Sequence, residues 1–112
     1  MNWCPDDDPR FRSGLWRGYY TQPDTGSLRH STEATLTFFA GQIEGRGQDV
    51  VGEFELIGEY RTEDGACFWV KQYKGRHNIL YKGYAEDDHI SGRWEIHPHW
   101  YGQFQLRYVG PP

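Results

Sequence analysis

Residues 66–97 alternate apolar and polar side chains through three successive segments joined by two short turns, and this pattern restricts the chain more than any other feature. Period-two alternation sends neighbouring side chains to opposite faces of a strand, so a hairpin register is consistent only if its partners agree on the buried face. A two-residue turn at Gly75-Arg76 sets Gln72 opposite Ile79, Val70 opposite Tyr81 and Phe68 opposite Gly83 on a mostly apolar inner face. The outer face then pairs Tyr73 with Asn78, Lys71 with Leu80, Trp69 with Lys82 and Cys67 with Tyr84. Beyond the polar turn at 86–89, the inner face continues with Ala85 against Ile90, Gly83 against Gly92, Tyr81 against Trp94 and Ile79 against Ile96. All three strands agree on the buried face, and a one-residue slip would bury Lys82, Arg93 and Glu95, so the register of the whole unit is expected to be well specified.

The remainder of the chain repeats this unit. Residues 1–13, with Pro5, Pro9 and three aspartates, read as an irregular N-terminal arm anchored by Trp3 or Phe11. Strands are expected at 14–22, 31–40, 43–46, 52–60 and 101–109, with turn chemistry between them and no helix-length connection. Together with the three central strands this makes eight, in a single domain over 14–110. Consecutive antiparallel strands of that number close into an up-and-down meander barrel, which removes both sheet edges and is wide enough to be filled by side chains or to hold one small ligand.

Composition agrees with an all-β fold: 17% of the 112 residues are aromatic, 14 are glycine and one is methionine. A formal charge of −4 argues against a nucleic-acid groove, which needs a basic face. The opening residues lack the basic and apolar runs of a signal peptide, and no stretch approaches membrane-spanning length. The expectation is a soluble, cytoplasmic protein with no membrane or nucleic-acid partner, in which Cys4 and Cys67 are thiols.

Glycine precedes an inward aromatic by two residues at Gly18/Tyr20, Gly52/Phe54, Gly92/Trp94 and Gly102/Phe104. Small and large inward residues in alternation let a narrow barrel coil while leaving room for neighbouring rings. The run from Gly45 through Asp49, Gly52, Phe54 and Leu56 to Gly58, followed by Lys71-x-Tyr73-x-Gly75-x-His77, Tyr81-x-Gly83 and Ile90-x-Gly92-x-Trp94, resembles a family of small, largely uncharacterised β-barrel proteins. The resemblance covers roughly residues 14–106 and implies the barrel without implying an activity. In strand order the chain is also similar to avidin-like and lipocalin-like ligand-binding barrels, an analogy of architecture alone.

The expected interior carries polar tips on large side chains. Trp16, Tyr20, Gln72, Tyr81, Trp94 and Tyr108 are the candidate ligand-binding residues, and Tyr60 adds a further inward hydroxyl. In a filled barrel such groups satisfy one another or the backbone; in a hollow one they orient a small apolar or aromatic ligand. Trp69, Tyr73, Leu80 and Tyr84 are expected to cluster on the outer face, where they are covered by Lys stems with a Lys82–Trp69 cation–π contact or by the N-terminal arm, or else form a surface for a partner or a second copy through segments 66–74 and 77–85. His97, His99 and the Asp87-Asp88-His89 turn contain metal-ligating types without a spacing that makes them converge, so no metal site is assigned. The haem attachment signature is absent and no cofactor is assigned. Asp49, Lys71 and His77 have the types for acid–base chemistry, but the register above holds Lys71 outside and apart from the other two, leaving Asp49 to cap its own turn. No catalytic residue is assigned. Three functions follow in order: a non-catalytic small-molecule-binding barrel, an interaction or oligomerisation module with a filled core, and a barrel isomerase or cyclase using a cavity tyrosine or His77.

Overall fold

The computed structural model describes residues 8–76, 78–97 (backbone alone at 97) and 100–111. Eight antiparallel strands run β1 (Gly14–Tyr20), β2 (His30–Phe39), β3 (Gln42–Asp49), β4 (Gly52–Tyr60), β5 (Ala66–Tyr73), β6 (Asn78–Glu86), β7 (His89–His97) and β8 (Trp100–Gly110), with one short 3₁₀ turn, Pro23–Thr25. Each strand pairs with the next and β8 pairs with β1, closing an up-and-down barrel. No helix among the described residues is long and apolar enough to cross a membrane.

The β6–β7 register matches the sequence pattern: Ala85 faces Ile90, Gly83 faces Gly92 and Tyr81 faces Trp94. The β5–β6 register does not. Trp69 faces Tyr81, Lys71 faces Ile79 and Cys67 faces Gly83, one residue away from the expected pairing. The cause is the turn. Arg76 N–H donates to the Tyr73 carbonyl at 3.2 Å and Gly75 takes a φ of 71°, so the connection is a turn with glycine at its third position instead of a two-residue hairpin. One added residue reverses the parity of the whole strand. Cys67, Trp69, Lys71 and Tyr73 therefore point inward, while Phe68 and Gln72 are exposed.

The strands divide the interior into two ends. At one, where β1, β3, β5 and β7 begin, the interior is solid. Trp16, Leu36, Ile43 and Ile90 have no exposed surface, and Phe11 from the segment before β1 sits on Phe38 and Tyr60 with ring centroids 5.4 and 4.6 Å away. Arg10 fastens that segment by donating to the Thr62 carbonyl at 2.7 Å, and the Trp16 indole N–H donates to the Arg12 carbonyl at 2.8 Å. Phe11 is thus the aromatic anchor; Trp3 and Cys4 lie outside the described residues. Packing across the barrel uses glycines as expected at Gly102, where an added Cβ would lie 2.6 Å from the Trp94 indole nitrogen. Gly52 differs: with φ at 147° and open space around its Cα, it serves the β3–β4 turn and not a ring.

Candidate functional site

The opposite end, where β1, β3, β5 and β7 finish, contains charge. Because the β5–β6 turn reverses the parity of β5, Lys71 projects into the interior and is 2% exposed. Its ammonium lies 4.1 Å from the Phe54 ring centroid, 4.9 Å from Tyr73, 5.3 Å from Tyr20 and 5.5 Å from Tyr81. Four ring faces supply quadrupole attraction, which does not by itself repay the removal of a cation from water.

Asp49 provides the counter-charge. It ends β3, and its side chain has no exposed surface. Oδ2 accepts from Lys71 Nζ at 2.6 Å and from the Tyr73 hydroxyl at 2.5 Å, while Oδ1 accepts from Val51 N–H at 2.9 Å across the turn. The capping role expected from the sequence is present, and the same carboxylate also meets the lysine that the expected register kept outside. Burial pushes the Lys71 ammonium below its ordinary range, and Asp49 beside it opposes that shift. A buried pair held by three hydrogen bonds on the carboxylate meets the condition under which such pairs persist.

Two more tyrosines complete the cluster. Lys71 Nζ donates to the Tyr81 hydroxyl at 3.3 Å, so that oxygen accepts and its proton is directed elsewhere. The Tyr20 hydroxyl is buried and has no hydrogen-bond partner among the described residues. Burial, with Asp49 adding to it, pushes Tyr20 up to about 12; burial first, then Asp49, raises Tyr73 and Tyr81 as well. All three are neutral phenols at physiological pH.

A cavity of about 170 Å³ adjoins this cluster, lined by Tyr20, Tyr73 and Tyr81 together with apolar surface from Val51, Ile79, Trp94 and Ile96, with Arg76 and Trp100 also on its wall. Of the residues singled out from the sequence, Tyr20, Tyr81 and Trp94 come together here. The Trp94 N–H is already spent on the Thr21 carbonyl at 2.8 Å. Trp16 and Tyr108 lie at the solid end in edge contact with each other, at 5.5 Å, and Gln72 points outward. Ile96, expected opposite Ile79 in the core, is 36% exposed and shares the cavity wall with it instead. Lys71, Asp49, Tyr73 and Phe54 are the site residues absent from the expected ligand-binding set: the sequence pattern assigns Tyr73 to the outer patch, holds Lys71 and Asp49 apart, and makes Phe54 an inward packing ring. The signal that carries them is the parity of a single turn.

The expected outer patch is dismantled by the same reversal. Trp69 is 1% exposed and stacks on Tyr81 with centroids 5.6 Å apart, and Tyr73 bonds Asp49; Leu80 is half-buried and Tyr84 is 58% exposed. Trp69 does not meet Lys82, and the cation–π cluster forms around Lys71 instead. Outside the barrel, Phe68, Lys82, Tyr84, Arg93 and Tyr101 line a broad open groove of about 1460 Å³. Arg93 lies 3.9 Å from the Tyr101 ring centroid there. Among the described residues, no three His, Cys, Asp or Glu side chains converge on a metal position. His77 and His99, and the side chain of His97, lie outside the described residues. No protein-family model and no curated protein matches the chain.

Proposed function

We propose that this barrel binds a small molecule at its polar end, in the cavity beside the Lys71–Asp49–Tyr73 cluster. The observation that carries the reading is the buried Tyr20 hydroxyl, which lacks a hydrogen-bond partner among the described residues while neighbouring polar groups are paired. Leaving such a donor unsatisfied costs about 1–3 kcal/mol, and proteins retain such groups where something else completes them. The volume supports a compact occupant, since a cavity of about 150 Å³ is known to take a benzene-sized molecule. Apolar walls and a few polar tips are the usual make-up of ligand pockets. Binding is favoured over proton abstraction because phenols with raised pKa values donate hydrogen bonds and are poor bases.

The test is a fragment screen by protein-observed NMR on the full chain, repeated with Ile79→Trp to fill the cavity. Shifts confined to residues around Tyr20 and Trp94, and abolished by Ile79→Trp, support the reading. Hits that ignore the filling substitution overturn it.

A second reading, self-association, rests on the exposed aromatics of the outer groove, Phe68 at 40%, Tyr84 at 58% and Tyr101 at 47%. A closed barrel has no free edge strand, so copies would meet through these side chains. Sedimentation velocity of wild type beside Tyr84→Glu distinguishes the cases: a dimer dissociated by the substitution supports it, and a wild-type monomer removes it.

A further inference from the structure

The chemistry of the cluster narrows what the cavity holds, resting on the small-molecule reading above. Two of the tyrosines that line the cavity carry neutral O–H groups with no acceptor for their protons among the described residues. The Tyr20 hydroxyl has no hydrogen-bond partner among the described residues, and Tyr81 uses its oxygen to accept from Lys71 at 3.3 Å. A phenol that accepts from a cation becomes a stronger donor through polarisation along the hydrogen-bond chain. Tyr73 makes no third donor, since its proton is committed to Asp49 at 2.5 Å. Lone pairs are scarce in the cluster: the lysine ammonium, the Val51 amide and Tyr73 take three of the roughly four acceptor sites of Asp49, and the ammonium also takes one from Tyr81. Gln22, which also lines the cavity, takes neither proton, so among the described residues the site lacks an acceptor with two lone pairs to complete both donors.

Charge and shape decide the kind of acceptor. Lys71 and Asp49 neutralise each other on the floor, and Arg76, the cation on the wall, is exposed on the β5–β6 turn, so its solvated charge offsets little of the desolvation that a buried anion would cost. The Tyr20 hydroxyl is shielded from bulk solvent, which favours a narrow terminal atom over a tetrahedral oxyanion. Apolar surface from Ile79, Trp94 and Ile96 covers the remainder of an occupant. We propose that the polar end of the barrel takes a neutral, single-ring-sized carbonyl compound, with its oxygen between the Tyr20 and Tyr81 hydroxyls. Paired tyrosine-type donors around one oxygen are a known way to hold and polarise a carbonyl.

Three probes of similar size separate the possibilities by NMR titration of the full chain: acetophenone, a neutral carbonyl; benzoate, an anion; and ethylbenzene, which has no acceptor. Acetophenone is expected to bind tightest, and Tyr20→Phe is expected to weaken it by about three- to tenfold, the range of one net hydrogen bond, while leaving ethylbenzene unchanged or slightly tighter. Tyr81→Phe repeats the test independently should Tyr20→Phe fail to fold. Equal binding of acetophenone and ethylbenzene, or equal losses for both on Tyr20→Phe, overturns the carbonyl assignment and leaves the small-molecule reading standing. Tightest binding by benzoate overturns the choice of a neutral ligand. No response to any probe in a folded protein overturns both readings.

Discussion

The two ends of this barrel are built from the same strands and close by opposite means. At one, Phe11 folds over Phe38 and Tyr60, and the interior beneath it is apolar and filled. At the other, an ammonium, a carboxylate and three phenols occupy the lumen beside a cavity. Filling by rings is tolerant, because dispersion and hydrophobic contacts have little directionality and near-isosteric exchange costs little. The polar cluster is unforgiving, since removing one member leaves its partner charged, buried and alone. A chain that needed only stability has no reason to carry the second arrangement, and this difference is what supports the proposal that the polar end serves recognition.

The sharpest way to break that comparison is to remove one charge. Asp49→Ala is expected to cost about 3–5 kcal/mol in urea unfolding, the usual consequence of stranding a buried partner. The double variant Asp49→Ala with Lys71→Met, which takes away both charges, should recover much of that loss. A cost below about 1 kcal/mol for the single change would mean that the pair is solvated and the ends are not distinct. Phe11→Ala at the filled end is expected to cost about 3 kcal/mol, at the low limit for a buried phenylalanine because the site lies at the barrel mouth. It should leave probe binding at the polar end unchanged, and a change in binding would show that the two ends are coupled.

Alkaline titration sharpens the comparison further. Burial raises the Cys67 thiol from 9.0 to about 12, and Tyr20 goes from 10.0 to about 12. Between the unfolded and folded values the native state holds more protons than the unfolded state, so stability is fully present below about pH 9 and falls as pH climbs toward 12. Lys71 works the other way: its folded pKa is lowered, the unfolded chain binds the extra proton below 10.5, and stability rises with pH across that window. Cys67→Ala should flatten the loss that begins near pH 9, and Tyr20→Phe should remove one share of the part that begins near pH 10, to which Tyr73 and Tyr81 also contribute, as read by thermal unfolding across pH. An unchanged slope in Cys67→Ala would mean that the thiol is accessible in the native state. The smallest effect is expected at the turn: Gly75, with φ at 71°, should lose about 1 kcal/mol on replacement by alanine without losing the β5 register.

Most of the architecture was legible in the chain. The alternation of 78–97 leads to the β6–β7 pairing because a slip would bury Lys82, Arg93 and Glu95, a penalty large enough to select one register. No comparable penalty guards β5. Phe68 and Val70 alternate with Trp69 and Lys71 so evenly that either face can be written as the inner one, and the apolar count favours the wrong choice. The deciding term is the turn, where Gly75 permits a positive φ and one more residue in the loop. Tyr20, Tyr81 and Trp94 were therefore identified as cavity residues, whereas Gln72 was placed inside, Trp69 and Tyr73 were placed outside, and Lys71 was set apart from Asp49.

By itself the sequence determined that the chain is an eight-stranded closed meander, because period-two alternation and short turns are local properties and closure is the way for such strands to hide both edges. Only the tertiary structure decided which end is filled and which is polar. Asp49 and Lys71 lie on strands that are not neighbours, β3 and β5, and no local pattern records that their side chains meet across the lumen. Their meeting depends on the parity of one turn and the curvature of the closed sheet, and a buried ion pair is stable only after both are in place.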